Sequence, residues 1–167
     1  LNDGEWKCIR DLRECFDQPE AAELLGDYEV FVLRNQSRGH GVGFLLEGER
    51  FFPDFIVWVK NDEEQHICFM DPKGLQHQIN VDGNNKVQFS KDIKEYEKQL
   101  NKKSGRDNIF LHSFIISETS LKKIEDNNPG KSKTDFNEIG LFFREGDKSH
   151  IDGIFRQILN KEKEVSY

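Results

Sequence analysis

Residues 51–75 of the chain read FFPDFIVWVKNDEEQHICFMDPKGL. Two mainly apolar runs, at residues 52–60 and 66–72, flank a polar segment, and this pattern is typical of two strands joined by a turn. Both runs are apolar at successive positions rather than only at alternate ones. Strands of that kind are usually buried on both faces. We therefore predict a hairpin in the middle of a sheet that is covered on each side.

The same stretch carries charged residues where the two predicted strands end. If the hairpin turns between residues 62 and 63, antiparallel pairing places Asp54 directly opposite Asp71. Side chains alternate between the two faces of a strand, so Lys73 points to the same face as Asp71. We predict that two carboxylates and one ammonium group meet at one end of the sheet.

Apolar periodicity along the rest of the chain predicts further helices and strands. The predicted helices lie at residues 4–17 and 21–25, in a lysine-rich segment within 84–101, after a cap at Thr119 or Ser120, and from Ser149 onward. The predicted strands besides the hairpin lie at residues 28–34, 42–47, 108–117 and 139–143. Residues 127–137 are predicted to form a mobile loop because of their composition. This order, with its first four strands as a meander, favours a three-layer α/β fold in which helices flank a central mixed sheet.

The predicted pairing of Asp54 with Asp71 has an electrostatic cost. Two ionised carboxylates about 4 Å apart repel by about 4 kcal/mol at an effective dielectric constant of about 20. Lys73 supplies one compensating charge, and a divalent metal ion would supply two. Mg²⁺ takes oxygen ligands, commonly one or two carboxylates with waters and phosphate oxygens. We predict that Asp54, Asp71 and the carbonyl oxygen of Pro72 bind Mg²⁺, with Mn²⁺ as an alternative ion.

Lys73 completes the predicted site. Its ammonium group would orient or help to deprotonate the attacking water, or would stabilise the charge that builds on phosphorus. Each residue also has a structural interpretation: Asp54 as a turn cap, Asp71 as a strand end and Lys73 as a surface lysine. The joint arrangement, with Pro53 and the flanking apolar runs, favours a catalytic role over these separate ones.

These residues resemble a known signature. Residues 53–54, Pro-Asp, and residues 71–73, Asp-Pro-Lys, are together similar to the PD-(D/E)xK motif of the restriction-endonuclease-like nucleases. The wider stretch over residues 40–77 resembles the C-terminal nuclease domains of DEAD/DEAH-type helicases, as in type III restriction enzymes. The resemblance implies a restriction-endonuclease-like fold. It also implies a Mg²⁺-dependent deoxyribonuclease that hydrolyses phosphodiester bonds, with the two aspartates and the lysine of the motif as catalytic residues.

The resemblance further implies an acidic catalytic residue from the first helix. Glu5, at the start of that helix, is the candidate, and Glu14, Glu20 and Glu23 are the alternatives. Alternatively, each of these glutamates is an ordinary surface residue without a catalytic role. Gln76 follows the signature closely, and we expect it to bind substrate by contacting the DNA backbone or a water molecule.

The length and the net charge of the whole chain limit which partners it can have. Its 167 residues suit a single domain, 1–167, and because it begins at Leu1 we expect a segment of a longer protein, which the resemblance implies is helicase-linked. The formal net charge is −7, whereas a free-standing DNA-binding protein is usually basic. The resemblance implies a covalently linked or partner helicase (an ATPase), and we expect it to supply the basic groove.

Other features of the sequence indicate a cytoplasmic compartment. The three cysteines, Cys8, Cys15 and Cys68, lack a Cys-x-x-Cys spacing, and we expect them to be reduced residues of the core. No apolar run approaches membrane-spanning length, and residues 1–15 do not match a signal peptide. We expect no membrane partner.

Two interpretations of function remain open from the sequence. In the first, the chain is an endonuclease domain of a restriction or phage-defence helicase–nuclease, and cutting both DNA strands would require a homodimer or a recruited partner. A repair or recombination nuclease of the same fold group is a variant of this interpretation. In the second, the chain is a catalytically silent nuclease-like module that binds DNA or docks proteins for a helicase.

Overall fold

Helices and strands succeed one another along the chain in a computed structural model that describes residues 1–36, 40–73, 75 and 80–161. The helices are α1 (Asp3–Phe16), α2 (Pro19–Leu25), α3 (Asn85–Ser104), α4 (Leu121–Asp126), α5 (Lys133–Glu138) and α6 (Ser149–Ile158). The strands are β1 (Glu29–Arg34), β2 (Phe44–Leu46), β3 (Glu49–Phe51), β4 (Phe55–Lys60), β5 (Gln65–Lys73), β6 (Ile109–Ser117) and β7 (Leu141–Phe143).

Five strands form one mixed sheet in the order β1-β4-β5-β6-β7. The pairs β1–β4 and β4–β5 are antiparallel, whereas β5–β6 and β6–β7 are parallel. Phe55 pairs with Met70, and this register confirms the predicted hairpin between β4 and β5. It places Asp54, the residue before β4, at the level of Asp71.

Helices cover both faces of this sheet, so the fold is a three-layer α/β arrangement as predicted. On one face, Leu12 of α1 and Ile154 of α6 pack in one core cluster with Val57 of β4. On the other face, Phe89 of α3 packs in a second cluster with Phe69 of β5. The two-faced apolar pattern of β4 and β5 therefore reflects their positions in the interior of the sheet.

Local sequence explains where α1 and α3 begin. Asn2 and Glu5 form a capping box, in which each side chain accepts a hydrogen bond from the backbone N–H of the other residue. The side chain of Asn84 accepts hydrogen bonds from the first backbone N–H groups of α3. Gly105 then ends α3 in the left-handed conformation, which glycine adopts without strain.

The segment predicted as a meander strand at residues 42–47 lies outside the main sheet. Its strand β2 pairs with β3 through a tight turn, and the two strands form a separate small sheet. The meander prediction was wrong because β1 pairs directly with β4. Phe44 and Phe51 of the small sheet pack instead against the ring of Phe89 on α3, which gives the hairpin its own hydrophobic contact.

The predicted mobile loop at residues 127–137 contains part of helix α5. Ser132 and Asp135 form a capping box at the start of this helix. Phe136 is fully buried and packs edge-on against Phe143 of β7. The prediction was wrong because the composition is that of a loop, whereas one buried ring and a capped first turn order a short helix against the sheet.

Within the described residues, no helix combines the length and the apolar character that crossing a membrane requires. The cysteines are free thiols, with Cys8 and Cys68 buried and Cys15 half-buried. Burial raises the pKa of the Cys8 thiol to about 12, so this group stays protonated and unreactive near neutral pH.

Phe89→Ala is expected to lower the free energy of unfolding by about 3–5 kcal/mol, because it removes a fully buried ring that joins α3 to the β2–β3 hairpin. Urea unfolding measures this cost. Tyr96→Ala on the same helix removes a ring that is 41 % exposed and should cost less than half as much. Equal costs for the two variants would contradict the assigned packing of α3.

Candidate active site

The charged residues of the sequence signature lie at one edge of the central sheet. β1, β5, β6 and β7 end at this edge, and β4 begins there. Asp54 immediately precedes β4, Asp71 lies near the end of β5, and Lys73 is the last residue of β5. Ligand sites of α/β sheets typically lie beyond the carboxyl ends of the parallel strands, which is where these side chains meet.

Asp71 is buried, with 1 % of its surface exposed. Its Oδ2 atom lies 3.3 Å from Nζ of Lys73 and 3.3 Å from Nζ of Lys86. Its Oδ1 atom is also buried and receives no hydrogen bond from any residue that the structure describes. A buried carboxylate oxygen without a donor is costly, so this atom is suited to a bound cation or a proton.

Asp54 is half-buried and interacts with Asp71. Burial is the main cause that raises the pKa of Asp54 to about 7, and the hydrogen bond that a protonated Asp54 can donate to Asp71 and the negative charge of Asp71 act in the same direction, against an opposing effect of Lys73. The carboxylate pair of the metal-free protein therefore holds a proton up to near-neutral pH. Cation binding would release that proton, which couples metal affinity to pH.

Lys73 is a cation at this site. Burial is the largest single effect and opposes its charge, but the charges of Asp71 and Asp54 and hydrogen bonding at the site together outweigh burial and raise the pKa of Lys73 above its ordinary value. Its side chain is 45 % exposed, so the ammonium group contacts both Asp71 and solvent. Lys73 can donate hydrogen bonds to a water or a phosphate oxygen, whereas its raised pKa disfavours a role as a general base.

Lys86 belongs to the site, although the sequence predictions missed it. It is the second residue of α3, and its Nζ lies 4.9 Å from the ring centre of Phe51 in addition to its contact with Asp71. A lysine in the first turn of a helix is unfavourable with the helix macrodipole. This unfavourable position was the one sign in the sequence that Lys86 needs a partner, because a nearby carboxylate would offset the cost of a cation there.

Glu5 reaches the same edge, but its carboxylate is engaged there. Its Oε2 atom accepts a hydrogen bond from Nη2 of Arg34 at 3.2 Å and one from the backbone N–H of Asn2 at 3.1 Å. The negative charge of Glu5 contributes to the raised pKa of Asp54. Glu5 therefore lies within electrostatic range of the carboxylate pair while Arg34 occupies one of its oxygens.

The alternative glutamates lie away from the signature residues. Glu14 and Glu20 line a cleft of about 710 Å³ between the end of α1, α2 and the start of α6. Glu23 is exposed on α2. No signature residue lines this cleft. A smaller cavity lies beside Asp54, and it is the better candidate for the active site because a signature residue lines it. Gln76 lies outside the described residues.

A cavity of about 450 Å³ opens beside Asp54, and Glu5 and Arg34 contribute to its walls. Asn35 orders one side of this cavity. Its side chain donates a hydrogen bond to the carbonyl oxygen of Pro53 at 2.8 Å, and its backbone N–H donates to the carbonyl oxygen of Asp54 at 2.8 Å. The cavity is thus a polar, well-supported space that can hold a phosphate group or a hydrated ion next to the carboxylates.

The residues present fit a Mg²⁺ site with few protein ligands. Across residues 1–36, 40–73, 75 and 80–161, no three His, Cys, Asp or Glu side chains converge as a metal-binding group. Mg²⁺ commonly takes only one or two carboxylates, with waters and phosphate oxygens completing its shell. Asp54 and Asp71 supply such a pair. The oxygen of Pro72, the predicted third ligand, borders α1, where an added Cβ on Gly4 would lie 3.6 Å from it.

Comparison of the chain with protein-family models, with curated proteins and with solved structures finds no match. The case for a function therefore depends on the chemistry of the side chains at this sheet edge and on the short signature that they form.

Asp54→Asn is expected to change how the stability of the metal-free protein depends on pH. Folding raises the pKa of Asp54 to about 7, so the wild type loses stability as pH rises from about 4 through about 7. The asparagine variant has no such proton to lose. Above pH 7 it should be more stable than the wild type by about 1–2 kcal/mol, a value reduced for partial solvent exposure.

Urea unfolding in a chelator, at several pH values, measures this difference. Asp62→Asn, in the exposed turn between β4 and β5, is the matched control and should leave the pH dependence unchanged. Parallel stability curves for the wild type and Asp54→Asn would contradict the raised pKa of Asp54.

Proposed function

We propose that this chain is a metal-dependent DNA endonuclease domain, in which Asp54 and Asp71 bind Mg²⁺ or Mn²⁺ and Lys73 acts at the scissile phosphate. The observation that carries the proposal is the buried Asp71 carboxylate. Two ammonium groups hold its Oδ2 atom, while its Oδ1 atom has no donor among the described residues. A buried charge network of this kind is a poor source of stability, so a functional role accounts for it better than a structural one.

The side chains of the site have separable roles in phosphodiester hydrolysis. A bound divalent cation would lower the pKa of a coordinated water and offset charge on the phosphoryl oxygens. Lys73 would donate a hydrogen bond to the attacking water or to a phosphate oxygen, and its fixed charge would stabilise the negative charge that develops during the reaction. Glu5 would support the site through its charge and through its ion pair with Arg34.

The sequence signature supports the same proposal. Residues 53–54 and 71–73 resemble the PD-(D/E)xK motif, and the three-layer fold with a mixed sheet is compatible with the restriction-endonuclease-like fold that this resemblance implies. The signature depends only on residue types, whereas the 3.3 Å contact between Asp71 and Lys73 depends on folding.

DNA is the proposed substrate despite the net charge of −7. Arg34 pairs with Glu5 beside Asp54, and Lys73 and Lys86 contact Asp71, so three cations balance the three carboxylates of the site. Phosphate contacts supply most of the non-specific affinity for DNA, and three cations are few. We propose that a linked or partner helicase supplies further basic surface, within a cytoplasmic restriction or phage-defence system, and that a homodimer or a partner site cuts the second strand.

One observation favours the catalytically silent module as a second candidate. Lys73 and Lys86 together balance the charges of Asp54 and Asp71 without any metal ion, so the site can persist as an internal salt-bridge network. In that case the exposed parts of Arg34, Lys73 and Lys86 would bind DNA or a helicase partner, and no cleavage would occur. Metal binding by the purified chain separates the two candidates.

Asp71→Asn is expected to abolish Mg²⁺-dependent cleavage of DNA. The substitution keeps the shape of the side chain but removes the charge that binds the cation, so cleavage should fall by at least about 100-fold. Gel assays with supercoiled plasmid and linear duplex, with and without Mg²⁺, measure the loss.

Asp82→Asn is the matched control for this experiment, because Asp82 is an exposed aspartate that pairs with Lys131 rather than with a residue of the site. Thermal unfolding of both variants tests whether they fold as the wild type does. Undiminished cleavage by a folded Asp71→Asn variant would overturn the assignment of the site.

Mn²⁺ is expected to raise the melting temperature of the wild-type chain. A ligand that binds only the folded state stabilises it by about 2.7 kcal/mol at about 100 times its dissociation constant. The increase should be reversed by EDTA and should be absent from a variant that carries both Asp54→Asn and Asp71→Asn. Retained DNA binding with no response to Mn²⁺ or Mg²⁺ would instead support the silent module.

A further inference from the structure

Two lysine side chains share one oxygen atom of Asp71. Nζ of Lys73 and Nζ of Lys86 each lie 3.3 Å from Oδ2. Together they offset the charges of Asp71 and Asp54 when both carboxylates are ionised. A divalent cation that joined the same carboxylates would leave two positive charges in excess, and the like charges would repel. The metal-bound site must therefore release a cation or acquire an anion.

Lys86 is the lysine that is better placed to leave. It stands in the first turn of α3, where the helix macrodipole opposes a positive charge. Its Nζ also lies 4.9 Å from the ring centre of Phe51, so Lys86 already has a favourable contact besides its ion pair with Asp71. Lys73 differs because it lies on β5 itself, two residues from Asp71 on the same face of the strand.

We propose that Lys86 is the resident counter-ion of the metal-free site: its ammonium group competes with the divalent cation for Asp71 and turns to a DNA phosphate once the cation binds. This inference rests on the proposed nuclease function and assigns a role to a residue outside the sequence signature. Among the ion pairs of the described residues, Asp71 is the acidic partner of Lys86. An ammonium group displaced from Asp71 therefore gains from a new contact with a phosphate oxygen.

The first test measures metal affinity rather than activity. Isothermal titration calorimetry with Mn²⁺ compares the wild type with Lys86→Met, which keeps the unbranched stem but removes the charge. Loss of the competing cation should tighten Mn²⁺ binding by about tenfold. Lys86→Gln is a second neutral variant that retains a donor to Asp71 and should also bind Mn²⁺ more tightly if the methionine variant folds poorly.

The matched control is Lys98→Met, on the same helix. Lys98 pairs with Glu95, and its side chain is 76 % exposed. This variant should bind Mn²⁺ as the wild type does. Lys86→Arg keeps the positive charge and should leave Mn²⁺ affinity closer to the wild type than either neutral variant does.

The second test measures DNA binding under conditions that prevent cleavage. Binding of a short duplex in Ca²⁺ is followed over a range of salt concentrations. Lys86→Met should weaken binding, and the slope of log affinity against log salt should be less steep by about 1, because one phosphate contact is lost. The Lys98→Met slope should equal that of the wild type.

The outcomes separate this inference from the proposed function. If the wild type binds no Mn²⁺, the nuclease proposal fails, and the inference fails with it. If the wild type binds Mn²⁺ but neither neutral variant binds it more tightly, Lys86 does not compete with the metal and the inference alone is overturned. An unchanged salt slope in Lys86→Met would overturn its contact with phosphate.

Discussion

The buried carboxylate of Asp71 is the interaction on which the rest of the site depends. A charge with 1 % exposure must be balanced by nearby cations or protons, because water cannot solvate it. Two ion pairs supply this balance: one with Lys73 on the same strand, and one with Lys86 at the start of α3. Asp54 stands beside this charge, and burial together with that neighbour raises its pKa. The ionisation of Asp54 and of the two lysines thus follows from burial combined with the charge of Asp71 at the end of β5.

Local charge, rather than total charge, is the relevant quantity for the substrate of such a site. The chain is acidic overall, yet Arg34, Lys73 and Lys86 gather at the sheet edge where the two aspartates meet. In the proposed function, the same lysines would balance the carboxylates before a metal ion binds and would contact phosphate afterwards.

Sequence patterns correctly predicted those structural features that are determined by residues close together in the chain. The register of Asp54 with Asp71 was predictable because the turn between the two apolar runs is short and side chains alternate with a period of two. The small β2–β3 sheet was not, because its placement depends on aromatic contacts between Phe44 and the distant Phe89. Helix α5 was missed for a related reason, since the burial of one phenylalanine in a polar segment is decided by the surface it meets.

The sequence alone determined the three-layer class, the central hairpin and the three signature side chains, because each follows from periodicity and from residues close in the chain. Only the tertiary structure decided which further residues join them. In the folded chain, Lys86 contacts Asp71, and Arg34 pairs with one oxygen of Glu5. Glu14 and Glu20 line a separate cleft. These contacts link elements that are far apart along the chain, and they form through helix docking and charge balance that no local pattern encodes.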